Sequence, residues 1–96
     1  MSPINKIKLK ILRNKIDNVD NSLIKLIKQR TTLVKKVIKI KETKKNIVDK
    51  PRIKKILRDI RNKSIKNNID PTITKRIWSN MIYAYIDFEK KNFRKK

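Results

Sequence analysis

Histidine, cysteine and glycine are all absent from the 96 residues, and proline occurs only three times. Without Cys or His there is no thiol nucleophile, no disulfide, no zinc-finger ligand set and no imidazole for acid–base work. Without Gly there is neither a P-loop nor a Rossmann turn. Acids are scarce too: 8 Asp and Glu face 29 Lys and Arg, for a formal net charge of +21. Eight scattered carboxylates make a poor metal cage, so no metal site is expected. No apolar run approaches the ~20 residues of a membrane span. Residues 1–10 alternate Lys with Ile and Leu, unlike the continuous apolar region of a signal peptide. The expectation is a cytoplasmic protein that makes no use of a membrane.

What remains is 38% hydrophobic, enough for a packed fold despite a charged fraction of 39% that would otherwise signal disorder. A chain this short is one domain, 1–96, with a small core unless it shares one with a second copy. The positive charge has two readings. It could serve phosphate contacts on a nucleic acid. Alternatively, Lys outnumbers Arg about three to one, as compositional drift towards Ile, Lys and Asn would produce on solvated faces. Lysines spread over all solvated positions, with Trp78, Tyr83 and Tyr85 confined to one helix, argue against a nucleic-acid partner.

The three prolines, at 3, 51 and 71, punctuate the chain. From about Asn5 to Glu42 nothing breaks a helix. Leu12, Ile16, Val19, Leu23, Leu26, Leu33, Val37 and Ile40 recur there at helical period. A second stripe beside them holds Ile24, Ile27, Thr31, Val34 and Ile38. Such a helix has about 35 residues, against a usual ~11–12. Residues 43–48 connect it to a second helix, capped by Asp49 with Pro51 in its first turn and ending near Lys66. Asn67 and Asn68 suit a left-handed C-cap. Asp70 and Pro71 repeat the cap-then-Pro signal for a third helix carrying Ile73, Ile77, Trp78, Met81, Ile82, Tyr85 and Phe88. The basic tail, Lys90 to Lys96, is expected to fray. The fold class is all-α, three helices, one long and two shorter. Covering a stripe of that length calls for a dimer in which two long helices lie side by side.

Several polar residues interrupt this pattern. Arg30 sits in the main stripe, where a guanidinium is costly unless an anion meets it, either an acid of the bundle or a ligand. Lys41 extends the second stripe, Arg13 flanks the first, and Arg52 is the third residue after the Asp49 cap. Glu89 follows Trp78, Ile82 and Tyr85 on an apolar face, where a carboxylate is desolvated. Surface exposure, snorkelling or a salt bridge would account for each singly. Jointly they describe a pocket with several cations, one carboxyl and no nucleophile, suited to a small polyanion.

LRNKID with Arg13, KQRTTLVKKVIKIK with Arg30 and Lys41, VDKPRIKKIL with Asp49 and Arg52, and IWSNMIYAYIDFE with Tyr85 and Glu89 together resemble the all-helical chorismate mutases, in order from Leu9 to Glu89. That resemblance implies an intertwined homodimer of three-helix chains. It also implies a cofactor-free Claisen rearrangement of chorismate, a dianion, to prephenate on the shikimate route to aromatic amino acids. By it, Arg30 and Arg13 hold the substrate carboxylates, with Arg13 crossing from the partner subunit. Lys41 binds a carboxylate and the ether oxygen. Asp49 and Arg52 contact the substrate or its hydroxyl, Tyr85 stands where many members have Ser, and Glu89 donates a hydrogen bond to the ether oxygen. Lys41 and Glu89 are thus the catalytic pair. Ile53 replaces a Glu common after the Arg52 position. Ile53 and Tyr85 also resemble the isochorismate-pyruvate lyases of the same fold, the leading alternative reaction. A non-catalytic basic helical binding protein is the alternative outside enzymology.

Overall fold

The computed structural model describes residues 1–94, and all regular structure among them is helical. Helix α1 spans Pro3–Ile40, α2 spans Lys50–Lys66 and α3 spans Pro71–Asn92, with one 3-10 turn at Lys44–Asn46. Among the described residues, no helix is long and apolar enough to cross a membrane.

All three helices begin with a short oxygen-bearing side chain followed within two residues by proline. Ser2 accepts the Asn5 N–H through Oγ at 3.2 Å. Asp49 accepts from Arg52 N at 3.0 Å, and Asp70 from Thr72 N at 2.9 Å. Each oxygen satisfies an amide that the first helical turn leaves without a partner, and proline lacks the N–H that would have needed one. Ser2-Pro3 was the same signal as Asp70-Pro71, and it starts α1 two residues ahead of the expected Asn5.

The far end of α1 also differs from expectation. The helix stops at Ile40 rather than Glu42. Beyond it the chain turns so that Thr43 donates twice to Asn46 Oδ1, from its N–H at 3.1 Å and its hydroxyl at 3.0 Å. That turn sends Ile47 into the interior, where it is 3% exposed. Burying Ile47 favours the early stop, because a longer helix would carry the connection away.

Helix α2 closes with a Schellman motif, in which Ile69 N–H reaches Ser64 O at 2.8 Å and Asn68 N–H reaches Ile65 O at 3.2 Å. Asn68 takes the left-handed conformation, φ 57°, that glycine would normally supply. The reversal lays α3 against α2. Ser64 and Thr74 meet in the contact through a buried 2.6 Å hydrogen bond, so neither hydroxyl is left unsatisfied.

The chain divides into two compact units, Met1–Leu33 and Val34–Lys96. The second has a core of Ile47, Ile82 and Ile86, flanked by Ile53, Ile56, Leu57 and Phe93. Fraying from Lys90 is not observed as expected: α3 continues to Asn92, and Phe93 packs on that core. Lys95 and Lys96 lie outside the described residues. The first unit is one helical rod whose apolar side chains remain open to solvent, among them Leu12, Ile16, Val19, Leu23 and Leu26.

Candidate active site

Lys41 is the first residue after α1, and its N–H still bonds to Val37 O at 3.1 Å. The ammonium is therefore held at a fixed helix end. Glu89 lies on α3, 7% exposed, one turn beyond Ile86 and Tyr85. The two side chains meet, Lys41 Nζ donating to Glu89 Oε1 at 3.1 Å. Both are largely removed from solvent, so the attraction is screened less than in a surface pair. Losing either partner would leave the other charge desolvated and unmatched.

Around this pair, Tyr85 stacks edge-on against Phe88, with ring centroids 6.4 Å apart. Tyr85 is half-buried on the same side of α3 as Glu89. At the start of α2, Asp49 and Arg52 are exposed, and the Asp49 carboxylate caps the helix through the Arg52 amide. Capping fixes the backbone of Arg52 while leaving its guanidinium in solvent. Ile53, where a Glu was the common alternative, packs against the core instead.

The remaining two cations belong to the other unit. Arg13 is exposed, whereas Arg30 is half-buried with its Nη1 atom shut off from solvent. Seventeen residues separate them on one helix, about 25 Å along the axis at ~1.5 Å per residue. Two arginines so spaced cannot grip the same small molecule from a single chain.

Of the seven residues singled out in the sequence, Lys41 and Glu89 are in direct contact, and Asp49 is bonded to the Arg52 backbone. Helical spacing could not have revealed the Lys41–Glu89 bond, because the two residues are 48 positions apart with the whole of α2 between them. Without a ligand, the pair neutralises itself. A molecule entering here must offer Lys41 another acceptor, and Glu89 either a donor or a proton.

A family model for chorismate mutase type II matches residues 12–90. The chain is also 36% identical over 76 residues to a chorismate mutase of Methanocaldococcus jannaschii, covering 78% of this chain and 77% of that protein. No solved structure matches.

Proposed function

The chain belongs to the chorismate mutase type II family, and from that membership we propose that it rearranges chorismate to prephenate at a site built around Lys41 and Glu89. The observation that carries the reading is the buried contact between those two side chains, which aims one ammonium and one carboxyl at a common point. A unimolecular Claisen rearrangement requires no base and no nucleophile. Its barrier falls when an extended dianion is held in its folded, reactive shape and donors await the charge that grows on the ether oxygen. One such donor is worth roughly 3 kcal/mol, about a hundredfold in rate.

In this reading the ether oxygen replaces the Glu89 carboxylate as the acceptor for Lys41. An ionised Glu89 would repel that oxygen, so the residue works as a protonated donor and the productive complex holds one extra proton. Arg30 takes a substrate carboxylate. Arg52, Asp49 and Tyr85 line the approach.

Arg13 serves the site of a second copy. The 25 Å or so between Arg13 and Arg30 along one helix supports this, as does the open stripe of α1. The apolar side chains of its main row, from Leu12 through Leu23 and Leu33 to Ile40, are between 44% and 74% exposed, whereas Ile38 beside them is buried. Covering them would contribute on the order of 1 kcal/mol each. The domain, residues 1–96, is then one half of an intertwined homodimer.

The test is direct. Purified protein is given chorismate or isochorismate, with products resolved by chromatography. Prephenate from chorismate is expected; pyruvate and salicylate from isochorismate alone would replace the mutase reading by the lyase one. No product from either substrate would leave a helical binding protein.

A further inference from the structure

Helices α2 and α3 leave a groove of about 290 Å³ between them, lined by Leu57, Arg58, Arg61, Pro71 and Lys75. None of these residues belongs to the site proposed above. Arg58 and Arg61, three apart, are neighbours on one face of α2, and Lys75 approaches from the first turns of α3. Lys54 precedes Arg58 by one turn on the same row. Like charges at such spacing repel and weaken a helix, so the arrangement carries a cost that an external anion would relieve.

Nearby carboxylates are already engaged. Asp59 pairs with Lys55 at 2.7 Å, and Asp70 caps the amide of Thr72. Neither Arg58, Arg61 nor Lys75 makes an ion pair among the described residues. The floor, in contrast, is apolar: Leu57 is half-buried against the core, and Pro71 presents a ring with no N–H. Two arginines and a lysine along a groove with such a floor match a doubly charged oxyanion joined to a flat apolar body.

We propose that this groove is a second anion site, which binds a small phosphate monoester carrying an aromatic or other apolar group. Phosphate is favoured over a single carboxylate because Arg58, Arg61 and Lys75 all line one groove and a phosphate monoester brings nearly two negative charges. A volume of about 290 Å³ suits a small molecule better than a polymer.

Phenyl phosphate is the probe, titrated into the full-length protein with affinity read by calorimetry. Arg58→Gln/Arg61→Gln should weaken binding by at least about tenfold, with an unchanged circular dichroism spectrum. The triple variant Lys10→Gln/Lys25→Gln/Lys35→Gln removes more charge from exposed positions elsewhere and should bind within about twofold of wild type. Arg30→Ala should also bind normally, since the probe does not depend on the proposed catalytic site. Equal loss in the triple variant would mean that bulk charge alone attracts the probe, and the groove would not be a site. Loss in Arg30→Ala, or no binding by wild type at millimolar probe, would overturn the proposal too. Inorganic phosphate binding as tightly as phenyl phosphate would remove the role given to Leu57 and Pro71. A single-stranded oligonucleotide that displaces the probe through Arg58 and Arg61 at far lower concentration would reassign the groove to a polymer.

Discussion

In the proposed reaction Glu89 carries the most chemistry of any single residue, because its charge state decides whether it helps or hinders. In the proposed complex it must hold a proton, so turnover falls as pH rises. Glu89→Gln supplies a donor at every pH, so it should stay active near neutrality and show a flatter alkaline decline than wild type. Parallel profiles with chorismate check this, and a decline shared by both proteins would assign the loss to another group. Lys41→Met is a different loss. It removes a donor and leaves Glu89 desolvated without its partner, so both turnover, by about a hundredfold, and thermal stability should drop. Arg30→Ala should abolish turnover with helical content retained. If instead helicity collapses and a chorismate-like dicarboxylate fails to raise the wild-type melting temperature, Arg30 serves the fold rather than a ligand.

At the scale of elements, local chemistry explains what could be read in advance. Asp49, Pro51, Asp70 and Pro71 act on the turn beside them, so the starts of α2 and α3 were legible from sequence. Asn68 was legible for the same reason, since a chain without glycine has few other residues for a left-handed position. The end of α1 was not. Lys41 and Glu42 are good helix formers, and the stop depends on burying Ile47, which only the folded chain reveals. The Lys41–Glu89 contact and the grouping of Arg58, Arg61 and Lys75 are tertiary for the same reason. Removing the cap by Asp70→Ala should cost about 1 kcal/mol, measured by urea unfolding, without touching the proposed site. The Lys55 ammonium, by hydrogen bonding, holds the Asp59 carboxyl below its ordinary value of 3.8. A carboxyl so lowered favours the folded state above its unfolded pKa, and that contribution fades as pH falls through the folded one. Asp59→Asn should therefore slightly lower stability at neutral pH and converge with wild type in acid. Because the pair is exposed, the gap will be small and should shrink further in salt.

For the molecule as a whole, the separation of Arg13 from Arg30 gives the proposed dimer a functional test. Arg13→Ala and Arg30→Ala should each be inactive alone. Unfolded together and refolded as a mixture, they form heterodimers in which one site regains both arginines, so about a quarter of wild-type activity should return. Mixing that restores nothing would mean that Arg13 does not cross between chains. Light scattering at micromolar concentration should give twice the chain mass; a compact monomer would remove both the dimer and the shared site.

The solvent-facing stripe of α1 also bears on how the protein is made. If its cover is another copy, the last stage of folding is a collision, with second-order kinetics. A freshly synthesised chain would then wait for its mate with Leu12, Leu23 and Leu26 bare, for longer when expression is low. During that interval the rod is open to proteases and to other apolar surfaces. Abundance would rise more steeply than synthesis rate, because faster synthesis shortens the vulnerable wait as well as adding chains.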